Sequence, residues 1–120
     1  MSELLLALLT IIPQLEGDSR GNPAENALGP YHITPVMVQE VNRIIKTSYK
    51  HEDALNQRLA KHMVVVHLQH WGKQYEKRTG KKASIAILAA IHNKGPFGYK
   101  KETGRDYGNR AKNIYDKQSV

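Results

Sequence analysis

Glu16 closes a run of apolar residues and opens a loop rich in turn formers. A carboxyl group set between an apolar wall and a polar loop loses solvation, and its proton is held to higher pH. Such a group can protonate the leaving oxygen of a glycosidic bond, the acid half of glycoside cleavage. Asp18 and Glu25 lie in the same loop, as possible second carboxylates. A later segment, His92-Asn93-Lys94-Gly95-Pro96-Phe97-Gly98-Tyr99, carries imidazole, amide and aromatic groups. Those groups suit sugars, which offer apolar C–H faces as well as hydroxyls.

Other chemistries find less support. There are six histidines, and His62, His67 and His70 fall on one helical segment. No His-Glu-x-x-His arrangement and no carboxylate ligand set accompanies them, so neither a metal nor another cofactor is expected. No Gly-rich phosphate loop is present, and no serine sits in a strand-turn-helix context. The chain has no cysteine and a formal charge of +7. That surplus favours a polyanionic partner: nucleic acid, anionic lipid or an acidic cell-wall polymer. Lys and Arg are densest over residues 73–82 and 99–117, but no helix-turn-helix with a polar base-reading helix is evident, which disfavours nucleic acid.

The positioning elements can be read in order. A chain of 120 residues makes one domain, 1–120. Residues 4–12 resemble a signal-peptide core, yet no Lys or Arg precedes them, Glu3 does, and no small-residue cleavage site follows. The run is also shorter than the roughly 20 residues of a membrane span. Apolar on every side, it predicts a buried helix ended by Gly17. Glu16 then sits at the unfavourable end of the helix dipole, a second push on its pKa. Residues 17–33 predict a loop with a short hairpin. Thr34-Pro35 starts a helix ending near Tyr49, with Met37, Val41, Ile44 and Ile45 on one face. Asp53 or Asn56 caps the longest helix, which runs to about Arg78 before Gly80 and is expected to be central. Ser84 caps a short apolar helix, Ile85 to Ile91, and a last amphipathic helix starts near Asp106. The expectation is a mainly α fold of about five helices.

Two segments carry a resemblance. Leu15-Glu16, followed by Ala27-Leu28-Gly29-Pro30-Tyr31-His32-Ile33, resembles the signature of lysozyme-fold muramidases. There a catalytic Glu ends the first helix and a Gly-Pro-Tyr-Gln-Ile type segment follows. Ala90-Ile91-His92-Asn93-Lys94-Gly95-Pro96-Phe97-Gly98-Tyr99 resembles the Ile-His-Asn-Gly-Gly-Pro segment of invertebrate-type (destabilase-type) lysozymes, and the Tyr-Asn-Ala-Gly segment of soluble lytic transglycosylases. Thr103 to Lys117 is similar to that family's closing helix. The chain departs from the pattern in lacking disulfides, in having His32 where Gln is usual, and in having Lys94 where Gly or Ala is usual.

The resemblance implies a lysozyme-like fold, of bacterial or phage type, that cleaves the β-1,4 bond between N-acetylmuramic acid and N-acetylglucosamine in peptidoglycan. It implies Glu16 as general acid. Glu25 or Asp18 is the second carboxylate, with Glu25 preferred because it lies nearer Gly29-Pro30. Tyr31, His32, His92, Asn93 and Tyr99 are expected to line the sugar cleft. With Glu16 alone, the enzyme would be a lytic transglycosylase leaving anhydro ends. A non-catalytic wall-glycan binder is the further alternative. The partner would be the glycan strand, met by a monomer with no membrane span and no stable protein partner. Action at the bacterial wall would follow release by a phage, carriage on a virion or secretion of a mature chain.

Overall fold

The computed structural model describes residues 2–118. Five helices and one two-stranded hairpin make up a mainly α domain: α1 (Ser2–Glu16), β1 (Gly21–Asn22), β2 (Ala27–Leu28), α2 (Pro35–Ile45), α3 (Gln57–Thr79), α4 (Ile85–Lys94) and α5 (Glu102–Gln118). Short 3₁₀ turns at Pro23–Glu25, His51–Leu55 and Gly98–Lys100 complete it. The strands pair antiparallel, Gly21 opposite Leu28 and Asn22 opposite Ala27. Among the described residues, no helix is long and apolar enough to cross a membrane.

Most helix boundaries follow from local chemistry. The side chains of Thr34, Asn56 and Ser84 each accept a backbone N–H in the first turn of α2, α3 and α4, meeting donors that the helix itself leaves unpaired. Gly80 ends α3 in the left-handed region, a conformation that costs glycine little.

Several expectations for the helices are corrected. α1 is one-sided rather than buried all round. Leu5, Leu8, Ile11 and Ile12 face the core, while Leu6 is 67% exposed. α2 stops at Ile45 rather than near Tyr49. The Asn42 side chain explains this, since it accepts from the Thr47 hydroxyl and the Tyr49 N–H and donates to the Tyr49 carbonyl. It ties the following strand of chain across the helix end. α4 continues through His92-Asn93-Lys94 before Gly95 caps it, its N–H bonding the Ile91 carbonyl. α5 begins at Glu102, one turn before Asp106.

α4 rather than α3 is the enclosed helix. All of Leu88 to His92 is buried, whereas α3 buries one stripe: Ala60, Met63, Val64, His67, Leu68 and Tyr75. α5 lies against α4 at a distance only glycine allows. A Cβ on Gly108 would run into the Ala86 carbonyl, and one on Gly104 into the Gly98 carbonyl.

Candidate active site

α1 delivers Glu16 to a cleft of about 320 Å³ whose walls include Glu25, His32, Glu40, His92 and Asn93. A smaller recess beside it, about 300 Å³, shares Glu16 and Asn93 and adds Tyr107 and Arg110. The carboxyl of Glu16 is therefore reached from two sides, yet its side chain is only 14% exposed. Burial raises its pKa above the usual carboxylate range, and the charge of Glu25 adds to this. A hydrogen bond from Tyr107 and the nearby charges of His32 and Arg110 act the other way, without cancelling the rise.

Both carboxyl oxygens are engaged. The Tyr107 hydroxyl donates to Oε2 at 2.9 Å. Burial, with Glu16 alongside, pushes the Tyr107 hydroxyl pKa upward, so it stays a neutral donor. His32 Nδ1 lies 3.3 Å from Oε1. The other ring nitrogen, Nε2, is 2.7 Å from the Asp18 carbonyl. A carbonyl can only accept, so Nε2 carries a hydrogen in either charge state of the ring. Nδ1 is then the nitrogen turned to Glu16. His32 reaches this position from a left-handed backbone, φ 49°, an uncommon conformation outside glycine.

The opposite wall is the C-terminal turn of α4. His92 Nε2 is 2.9 Å from the Tyr31 carbonyl, and complete burial depresses the ring pKa to about 4. His92 is therefore a neutral donor at pH 7 that fastens α4 to the Gly-Pro-Tyr-His segment. Tyr31 fastens the same segment to α1, its hydroxyl donating to the Leu9 carbonyl at 2.6 Å.

The expected site residues separate accordingly. Glu16, Glu25, His32, His92 and Asn93 share the cleft. Tyr31 is 2% exposed and supports the wall instead of lining it. Asp18 lies in a different recess, with Arg20, Gly21 and Pro23. The Arg20 backbone N–H and guanidinium both bond its carboxylate, and these bonds hold its pKa below the usual value. Tyr99 packs edge-on against Tyr75, ring centroids 4.9 Å apart, and its hydroxyl accepts from Arg78, outside the cleft. Among the described residues, no group of three or more His, Asp or Glu side chains is placed to hold a metal ion.

Three groups at the site carry no local motif in the sequence: Tyr107 as a partner of Glu16, Arg110 beside it, and Glu40 in the cleft wall. Glu40 had a signal. It stands one turn from both Met37 and Ile44, an acid inside an apolar stripe, and such acids are rarely buried without partners. Its partners are His67 Nε2 at 3.0 Å and Trp71 Nε1 at 3.1 Å.

Set against protein-family models, characterised proteins and solved structures, the chain finds no match.

Proposed function

We propose that this domain is a glycoside hydrolase of peptidoglycan, cleaving the β-1,4 bond between N-acetylmuramic acid and N-acetylglucosamine, with Glu16 as general acid. The observation that carries the proposal is the largely buried Glu16 carboxyl, its pKa raised, in a cleft of about 320 Å³ that Glu25 also lines. A carboxylic acid whose proton is held to higher pH than usual is better placed to donate it to the leaving glycosidic oxygen as the bond breaks. Tyr107 and His32 fix its orientation from either side.

Glu25 serves as the second carboxylate. It lines the same cleft, and its charge acts on Glu16, so the two groups feel each other across the gap. There it stabilises the positive charge developing on the sugar or assists an attacking water. Asp18, tied to Arg20 in another recess, does not take this part. The choice of substrate rests on the likeness of the Glu16-to-Ile33 and Ala90-to-Tyr99 segments to lysozyme-like muramidases, and on the basic charge, which favours an anionic wall. On this reading the protein acts at the bacterial cell wall as a lytic enzyme.

Mass analysis of digested peptidoglycan tests the proposal. Wild type is expected to release fragments with reducing ends, and Glu16→Gln to lose activity by ~10²–10⁴-fold, the usual contribution of a general acid. Anhydro ends would instead identify a lytic transglycosylase. Unchanged lysis by Glu16→Gln would remove Glu16 from the chemistry.

A further inference from the structure

We propose that Glu40 is a glycan-binding residue, whose Oε1 accepts hydrogen bonds from the N–H and O–H groups of an N-acetylated sugar in the cleft. The ligand class rests on the glycosidase reading, while the geometry does not.

The two oxygens of Glu40 are used unequally. Oε2 takes two donors, the buried His67 Nε2 and the partly buried Trp71 Nε1. Oε1 has only the Arg43 guanidinium, 4.0 Å away on a side chain that is 70% exposed. Among the described residues no hydrogen bond reaches Oε1. Two donors on one oxygen lock the carboxylate plane, so the second oxygen is held as a fixed acceptor at the cleft wall. His67, His92 and Glu40 all line this cleft. In each imidazole Nε2 meets an acceptor, and Nδ1 is buried without a partner among the described residues. Those two nitrogens are out of a ligand's reach, so the acceptor this part of the cleft offers is Glu40 Oε1, and a ligand group that donates a hydrogen bond complements it.

Apolar surface lies beside the acceptor. Val36, 63% exposed, and Met37 line the cleft one turn before Glu40. Methyl groups next to a carboxylate oxygen match an acetamido group, which offers a methyl and an N–H together. Phosphate is excluded, because an ionised carboxylate repels it. Glu40 is not among the charges that bear on Glu16, which come from His32, Glu25 and Arg110. It is a positioning and binding group for a sugar unit away from the bond that breaks.

The test uses the single tryptophan of the chain, which is bonded to Glu40. Glu40→Gln keeps size and shape. Its amide oxygen still meets the His67 and Trp71 donors, which turns the amide nitrogen to the position of Oε1. An acceptor in the cleft becomes a donor while the packing stays. In a Glu16→Gln background, titration with a chitotetraose probe should change the emission of Trp71 and saturate. Adding Glu40→Gln should weaken binding by ~10-fold or more, as expected when a charged hydrogen bond is lost. In the cleaving enzyme, Glu40→Gln should raise KM with kcat nearly unchanged. Binding within twofold of the parent, or no saturable binding by the Glu16→Gln protein in fluorescence and calorimetry, overturns the inference. A wild type that cleaves nothing, yet binds in a Glu40-dependent way, overturns the glycosidase reading and supports Glu40.

Discussion

Replacing Tyr107 by Phe isolates one group that sets the acidity of Glu16. The hydroxyl donates to Oε2 at 2.9 Å, and a donor favours the ionised carboxyl. Burial raises the Glu16 pKa, and Tyr107 is the largest of the opposing effects. Removing it leaves the burial effect less opposed, so the protonated acid persists to higher pH. A hydrogen bond to a charged group is worth ~1.5–3 kcal/mol, and ~1.4 kcal/mol corresponds to one pH unit. The alkaline limb of kcat/KM, which reports the general acid of the free enzyme, should therefore move upward by on the order of one pH unit. The carboxyl is only 14% exposed, so solvent screening takes little from that figure. Phe keeps the buried ring, and thermal melting checks that α5 stays in place. The assay is the release of labelled wall fragments across a pH series, with wild type and variant in parallel. A limb that stays in place, or moves to lower pH, refutes both the hydrogen bond's role and Glu16 as the group that must be protonated.

His92 and Gly104 supply two further predictions. The His92 pKa is lowered to about 4 in the folded chain from about 6.5 when unfolded, so the unfolded chain binds the extra proton between these values. Its contribution is fully present above pH 6.5 and is lost as pH falls toward 4, about 3 kcal/mol in all. Urea unfolding at both ends of that window should show His92→Gln, which keeps a donor for the Tyr31 carbonyl, losing less stability on acidification than wild type; parallel losses would count against the assignment. Gly104→Ala should lower stability by ~1–3 kcal/mol through overpacking, because its Cβ meets the Gly98 carbonyl. An unchanged melting temperature would mean that α5 does not lie so close.

What could be read in advance depended on how far along the chain its cause lay. Thr34-Pro35, Asn56, Gly80 and Ser84 mark helix ends because a cap acts within one turn. Glu16 was legible as an acid because its apolar run precedes it directly. The extension of α4 through His92 was not, since His92 is held by a carbonyl 61 positions earlier. Nor was the pairing of Glu16 with Tyr107, separated by 91 positions. That Glu25 rather than Asp18 shares the cleft with Glu16 depends on the conformation of the hairpin. Asn22 accepts from the Ala24 N–H and Asn26 turns left-handed, which together set Glu25 toward the cleft. Asp18 is captured by Arg20, two residues away.

The packing of α5 bears directly on acid strength. Tyr107 adjoins Gly108, and Gly104 lies one turn before it. Both glycines face carbonyls at distances no side chain could share. Their bareness lets α5 settle close beside α4 and the Gly98 turn, and from there Tyr107 reaches Glu16 at the end of α1. A Cβ at either position would push the helix outward and draw the hydroxyl away from Oε2. Two effects should then appear together: lower stability, and an acid that keeps its proton to higher pH, as in Tyr107→Phe. The glycines are thus tied to the acidity of Glu16 through the hydrogen bond they permit. The proton of Glu16 is governed by four segments that converge on it: the end of α1, the hairpin through Glu25, the turn that holds His32, and α5.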